Sequence, residues 1–320
     1  MFALLLNIVS RANAIKSKLI MHKFILTLIA TFIATFAIAQ EPDLFKMLDE
    51  ESKQAEKNQT EYTTATFKTT RLINGHTMET TGKGILDLKV SHRFSTLNKG
   101  AYELFGLDNA SMRFGFDYGV TNRLTLGVGR STFEKQYDGF IKYKLLRQSS
   151  GKKTMPVTVT AVATMMLKTL KDPEEDFKRH YSDRLYYAYQ LLIARKFSTS
   201  TSIQLMPTVV HYNLVKKVSD KNDIYAIGIG GRQKLTKRIS INAEYYYVLP
   251  SYKLPDTYNS LSLGFDIETG GHVFQLHFTN STGMTERTFI TETTGQWSKG
   301  DIHFGFNISR VFNIGGKKKS

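Results

Sequence analysis

The sequence contains no cysteine, and only one tryptophan and six prolines, among its 320 residues. The absence of cysteine excludes disulfide scaffolds, cysteine zinc sites, iron–sulfur clusters and thiol catalysis. After residue 39 there is no apolar run of 18 residues, so the rest of the chain offers no transmembrane helix. The motifs of zinc peptidases, phosphate-binding loops, serine hydrolases and nucleic-acid-binding modules are also missing. We therefore expect no catalytic residue, no metal, no cofactor and no nucleic-acid partner.

The N-terminus has the residue order of a secretory signal peptide. Lys23 precedes the apolar run 24–33, and the small-residue triplet Ala-Ile-Ala follows at 37–39. This order predicts cleavage after the triplet and export of the remaining chain, with an uncleaved anchor helix as the alternative. Met21 makes the better start, because Lys23 then lies in a short basic region directly before the apolar run.

From about residue 84 onward, apolar and polar residues alternate along the chain. Leu86, Leu88 and Val90, for example, alternate with Asp87 and Lys89. Alternation with a period of two predicts β-strands that have one apolar and one polar face. About twelve such segments have roughly the length that a tilted strand needs to cross a bilayer. They are 84–95, 110–120, 123–134, 138–147, 154–168, 183–197, 200–214, 222–235, 238–249, 257–268, 271–280 and 300–312.

The connections between these segments are alternately short and long. Tight turns are expected at 121–123, 198–199, 236–238 and 269–270, with a slightly longer one at 148–153. Polar connections, interpreted as external loops, are expected at 96–109, 169–182, 215–221, 250–256 and 281–299, and the one near Gln136 is short. Transmembrane barrels show this asymmetry between periplasmic turns and external loops.

These patterns predict an all-β fold, an antiparallel up-and-down transmembrane β-barrel of about twelve strands. The polar faces would line the lumen, and their candidate residues are Asp87, Lys89, Arg93, Arg113, Asp117, Lys142, Lys144, Glu244, Asp266, Glu268, Gln275, His277, His303 and Asn307. The apolar faces would contact lipid, with the candidates Phe114, Phe116, Tyr245, Tyr247, Phe274, Phe278, Phe304 and Phe306. A soluble periplasmic barrel that binds an apolar ligand is the alternative, and it would reverse both faces.

The segment that precedes the barrel has two parts. Residues 43–58 predict a short periplasmic helix, and residues 60–74 are β-prone but lack an apolar face. The second part would therefore pair at the periplasmic rim or fold into the lumen as a plug. The predicted organisation is a signal peptide at 1–39, whose residues 1–20 are an over-extended start, then the helix and the plug or rim segment at 40–83, the barrel at 84–312 and a basic C-terminal tail at 313–320.

The lumen residues leave several functions open. Mixed charges can bias ion passage through a narrow channel, or they can cross-link the wall of a closed structural or binding barrel. His277 and His303 together with Asp266 or Glu268 would form a metal site, but a hydrated hydrogen-bond network explains them more simply. An outer-membrane enzyme that acts on lipid is the further alternative.

The final segment carries an assembly signal. Phe304, Phe306 and Phe312 place aromatic rings along and at the end of the last strand, although a tail follows. This strand resembles the C-terminal strand that the barrel assembly machinery recognises. Outer-membrane lipid and lipopolysaccharide are the other expected partners.

Four stretches carry a resemblance to a known family. They are 100–108 (GAYELFGLD), 137–148 (YDGFIKYKLLRQ), 238–250 (RISINAEYYYVLP) and 264–287 (GFDIETGGHVFQLHFTNSTGMTER). Together they resemble an uncharacterised outer-membrane β-barrel family of the Bacteroidota, a domain of unknown function, over about residues 60–312. The resemblance implies a barrel in the outer membrane and brings no catalytic residue with it.

Overall fold

The protein is described here by a computed structural model that covers residues 59–171, 180–215 and 217–315. The predicted signal peptide, the predicted helix at 43–58 and the last five residues of the basic tail lie outside the described residues. Within them, twelve antiparallel strands form one closed barrel. The fold class that the alternation predicts is therefore confirmed. No helix among the described residues is both long and apolar enough to cross a bilayer.

The elements follow one another as strands joined by short helical turns. The strands are β1 (Thr60–Tyr62), β2 (Ile85–Thr96), β3 (Ala110–Gly119), β4 (Leu124–Ser131), β5 (Tyr137–Leu146), β6 (Ser149–Gly151), β7 (Thr158–Leu167), β8 (Leu185–Lys196), β9 (Thr201–Tyr212), β10 (Asp223–Lys234), β11 (Ile239–Val248), β12 (Ser260–Thr269), β13 (His272–Thr279) and β14 (His303–Asn313). The described residues also include the α-helix α1 (Glu286–Thr291) and the 3₁₀ turns Leu97–Lys99, Ala101–Gly106, Phe133–Lys135, Tyr181–Arg184, Pro250–Tyr252 and Trp297–Lys299.

Each barrel strand pairs with the next barrel strand along the chain, and β14 closes the barrel on β2. At this seam Phe306 lies opposite His92, and Asn307 lies opposite Ser91. Strands β1 and β6 form a separate pair outside the barrel, with Thr60 opposite Gly151. The predicted segment 154–168 begins later than expected, at β7, because the preceding residues form β6 and its turn instead.

The tight turns have a local chemical cause. In the β3–β4 turn the hydroxyl of Thr121 accepts hydrogen bonds from the backbone N–H groups two and three residues ahead, at 3.1 and 3.0 Å. Ser198 and Thr236 do the same in the β8–β9 and β10–β11 turns. A hydroxyl at this position replaces a backbone acceptor and closes the turn within a few residues. These turns lie at the end of the barrel where β2 begins and β14 ends, which we call the turn end.

The two faces of the barrel wall differ sharply. Phe114 and Phe116 point outward and are each 45% exposed, and Tyr247 and Phe278 are exposed as well. Tyr245, Phe274, Phe304 and Phe306 also lie on the outer face and are partly exposed. The inner face carries mainly hydroxyl, amide and charged side chains. An apolar outer band around a polar interior is the arrangement that a bilayer requires of a barrel.

Candidate functional site

The lumen is filled from its turn end by the segment before β2. Residues 66–81, which we call the hairpin, fold back on themselves inside the barrel. Leu72 N–H donates to the carbonyl of Gly75 at 2.8 Å, and Thr77 N–H donates to the carbonyl of Thr70 at 3.0 Å. The β-prone segment that the sequence assigns to a rim or a plug thus lies largely in the lumen, with its turn at 72–75.

A single carboxylate on the barrel wall holds the turn of the hairpin. Glu244 on β11 accepts hydrogen bonds from the backbone N–H groups of Asn74 at 2.7 Å, Gly75 at 3.1 Å and Ile73 at 3.3 Å. A Cβ atom on Gly75 would collide with the hydroxyl of Tyr246, so only glycine permits this approach to the wall. Glu244 therefore satisfies three buried donors that have no strand partner.

Lys142 and Gln204 hold the two arms of the hairpin. Lys142 Nζ donates to the carbonyls of Thr70, Thr77 and Glu79 at 3.0 to 3.2 Å. Gln204 accepts from Met78 N–H and donates to the carbonyl of His76, both at 2.7 Å. These polar residues of the inner face thus form hydrogen bonds with the hairpin backbone rather than with water.

The other half of the lumen is filled by the connection between β13 and β14. Its residues 281–293, which we call the inner loop, include α1, and every residue of α1 is buried. The ring of Phe289 packs edge-on against Tyr246 with centroids 5.2 Å apart. The sequence-based interpretation of 281–299 as a polar external loop is wrong for this part, because Met284, Phe289 and Ile290 are buried in the barrel.

The hairpin and the inner loop meet inside the barrel. Arg71 Nη1 of the hairpin lies 2.7 Å from Glu286 Oε1 of the inner loop. His76 Nε2 lies 3.3 Å from the same oxygen. Arg71 and Glu286 are both almost completely buried, so this ion pair joins the hairpin and the inner loop in a region that is shielded from water.

The inner-face residues predicted from the sequence form several separate clusters. Lys89 pairs with Asp117 at 2.6 Å and also with Asp87, and Arg113 pairs with Asp138. Asp266 accepts a hydrogen bond from Gln275 at 2.8 Å. Of the predicted set, Asp87, Lys89, Arg93, Arg113, Asp117, Lys142, Lys144, Glu244, Asp266, Gln275, His277, His303 and Asn307 are buried.

Glu268 differs from the other predicted lumen residues. It lies at the turn end, where its side chain is 41% exposed and pairs with Lys68 of the hairpin at 2.5 Å. It therefore lines the mouth of the barrel rather than the interior.

The two histidines of the predicted metal site, His277 and His303, are not brought together with Asp266 or Glu268 as a ligand set. His277 lies opposite Gly264, two pairs away from the Asp266–Gln275 pair. His303 contacts the hydroxyl of Thr282 at 3.1 Å and the carbonyl of Phe94 at 2.7 Å. Among the described residues no group of three or more histidine and acidic side chains has the geometry of a metal site.

The inner loop is also tied to the β4–β5 connection. Arg287 contacts both carboxylate oxygens of Glu292 at 2.8 Å and pairs with Glu134, which also pairs with Lys168. Burial raises the pKa of Glu134, but Arg287 and Lys168 lower it more, so its pKa lies below the usual range. The sequence gives no sign of this pairing, because Glu134 ends a predicted strand and Arg287 lies in a connection more than 150 residues later.

This contact predicts a pH dependence. Because the folded-state pKa of Glu134 is depressed, its ion pairs contribute stability above the unfolded-state pKa and lose it as the pH falls below about 4. Trp297, the only tryptophan of the sequence, lies in the same connection as the inner loop. Its Nε1 donates a hydrogen bond to the carbonyl of Leu261 on β12 at 3.0 Å. We expect its fluorescence to change in that pH range. Glu134→Gln should remove this step, and a step of unchanged size in that variant would contradict the assignment.

Solved structures with a similar fold include two porins and one further outer-membrane protein. The NanC porin is 7% identical, with a TM-score of 0.44, and the match covers 71% of this chain and 98% of that one. The KdgM porin is 8% identical, with a TM-score of 0.43 and coverage of 71% and 99%. Omp33 of Acinetobacter baumannii is 10% identical, with a TM-score of 0.39 and coverage of 71% and 97%.

At these TM-scores the likeness does not bear on what this protein binds or transports. A search of curated protein sequences finds no match. A family profile matches residues 67–312, a range that begins inside the hairpin and ends in the last strand. The chain belongs to this family, which is described as a membrane bound beta barrel domain (DUF5777).

Proposed function

We propose that this protein is an outer-membrane barrel that is closed at rest and acts as a structural or binding barrel. The observation that supports this most directly is the ion pair between Arg71 of the hairpin and Glu286 of the inner loop. The two segments enter from opposite ends of the barrel and meet through it. Moving the hairpin aside to open a continuous path through the lumen would break this ion pair. It would also break the hydrogen bonds that join Glu244 and Lys142 to the hairpin backbone.

The proposal includes how the protein reaches its place. Residues 1–39 act as a cleaved signal peptide, and N-terminal sequencing of the mature protein should begin at Gln40. The barrel assembly machinery inserts the chain, whose last strand supplies the aromatic signal, and outer-membrane lipid and lipopolysaccharide surround it. We also propose that the protein belongs to the Bacteroidota branch of the family. We propose no enzymatic activity and no cofactor.

A narrow channel is the second candidate function. It is favoured by a cavity of about 520 Å³ at the turn end, between the hairpin and the wall formed by β12, β13, β14 and β2. Such a vestibule would serve a channel whose hairpin moves aside. The lipid-acting enzyme and the soluble apolar-ligand barrel have no comparable support.

Planar-bilayer recording separates the two candidates. The intact protein should show no steady ion conductance, because the hairpin and the inner loop fill the lumen. Replacing residues 66–81 and residues 281–293 together with glycine–serine linkers of equal length should produce stable conductance steps. The matched control replaces residues 101–107, in the exposed β2–β3 connection, in the same way and should stay silent. Steady conductance of the intact protein at low voltage would favour the channel.

A further inference from the structure

A small cavity lies between the hairpin and the barrel wall near the β14–β2 seam. Its volume is about 20 Å³, which is room for one occupant about the size of a water molecule. Four cationic side chains line it, together with neutral polar groups that include Asn74, Ser91 and Asn307. The four cations are Arg71 of the hairpin and Lys89, Arg93 and Arg113 of the wall.

Three of the four cations have a carboxylate partner. Arg71 pairs with Glu286, Lys89 with Asp117 and Asp87, and Arg113 with Asp138. Each of these charges is therefore matched by direct contact.

Arg93 has no such partner among the described residues. Its side chain is about 1% exposed, and its Nη2 donates to the side-chain oxygen of Asn74. Its Nε and Nη1 are buried, and neither finds a hydrogen-bond partner among the described residues. Glu244 attracts Arg93 electrostatically but makes no hydrogen bond with it, because its oxygens accept the backbone N–H groups of the hairpin turn. A buried guanidinium without an anion is costly, so this position favours a negatively charged occupant.

We propose that this cavity binds a small monovalent anion of the chloride class, with Arg93 as its principal partner. The size of the cavity excludes phosphate, sulfate and organic acids, whereas a halide ion is close to water in size. A water molecule would satisfy the hydrogen bonds of Arg93 but would leave its guanidinium without an anion in direct contact.

The proposed entry of the anion is from the turn end. The vestibule of about 520 Å³ shares Thr69 and Ser309 with the small cavity. The two cavities are therefore adjacent on the β14–β2 side, and along this side an ion has the shortest way to Arg93 that leaves the hairpin turn in place. Because Arg71 and Asn74 belong to the hairpin and Arg93 to the wall, the bound anion bridges them and stabilises the hairpin in place.

Bromide is the probe for this site, because it replaces chloride and scatters anomalously. Crystals of the full mature chain grown in sodium bromide should show an anomalous peak in the cavity beside Arg93. Arg93→Gln should lose the peak. Ser91→Asp places a carboxylate at the cavity lining and keeps all four cations, so it should exclude bromide as well. Arg232→Gln removes a half-buried cation that does not line the cavity and should keep the peak.

Thermal unfolding in detergent provides the solution test. Sodium bromide at ten times its Kd, compared with sodium gluconate at equal ionic strength, should raise Tm by about 2–3 °C. Ser91→Asp and Arg93→Gln should abolish this difference. No anomalous peak in the wild type, or a peak that survives in Arg93→Gln, would overturn the proposal. If Arg93→Gln fails to fold, Ser91→Asp provides the test instead. A bromide peak that persists in Ser91→Asp would likewise overturn the proposal.

Discussion

Glu244→Ala is expected to open the hairpin to trypsin at Arg71 while the barrel itself stays folded. The substitution leaves the backbone N–H groups of Ile73, Asn74 and Gly75 without their acceptor. Each buried donor left without a partner costs about 1–3 kcal/mol. The total is enough to shift the hairpin toward a displaced state. Mass spectrometry of the digest should detect cleavage after Arg71, and gel mobility without heating should still report a folded barrel.

Glu268→Ala is the matched control for this experiment. It removes a second glutamate of the barrel wall that contacts the hairpin, but the pair it breaks with Lys68 is partly exposed at the mouth. An exposed ion pair contributes about 0–1 kcal/mol, so Arg71 should remain protected. Equal protection of Arg71 in Glu244→Ala and in the wild type would show that Glu244 does not hold the hairpin.

The second large effect is expected at the outer face of the last strand. Phe306 points outward and stacks on His92 of β2 across the seam, with ring centroids 5.0 Å apart. Phe306→Asp places a charge against the acyl chains and removes this stacking, which together should cost at least about 2 kcal/mol. The yield of folded barrel in lipid vesicles should fall steeply. Phe306→Leu keeps an apolar side chain at the same position and should insert normally.

A substitution at the neighbouring residue, Asn307, tests the inner face. For this substitution the structure predicts a different result from the one that the sequence pattern predicts. The alternation alone predicts that Asn307→Asp is tolerated, since position 307 faces the lumen. In the structure Asn307 Nδ2 donates to the carbonyl of Ile73 at 3.0 Å and to Gln275 Oε1 at 3.1 Å. In Asn307→Asp a carboxylate oxygen would replace the Nδ2 donor and would face both acceptor oxygens without a proton to share. We therefore expect Asn307→Asp to insert normally but to loosen the hairpin, and a failure to insert would contradict the assigned faces.

The strands were predictable because the signal for them is local. In segment 110–120, for example, Phe114 and Phe116 alternate with Gly115 and Asp117, and the structure has β3 at Ala110–Gly119. A period of two fixes which residues share a face whatever the rest of the chain does. Threonine and serine at the tight turns are local signals of the same kind.

The filling of the lumen was only partly predictable. Residues 60–74 lack an apolar face, which pointed to a rim or plug segment without deciding between them. The inner loop was misassigned, because its polar residues resemble those of an exposed connection. Its buried Phe289 and Ile290 and its low charge after Arg287 were the available signals, but neither says what covers them.

The sequence alone was enough to predict a β-barrel of about twelve strands and the apolar side of each strand, because alternation and turn residues act over a few positions. The tertiary structure alone decided that the barrel is filled. The pairs Arg71–Glu286 and Glu244–Asn74 join residues about 215 and about 170 positions apart. No local pattern encodes such contacts, since they arise only when barrel closure brings distant buried polar groups together and each must find a partner.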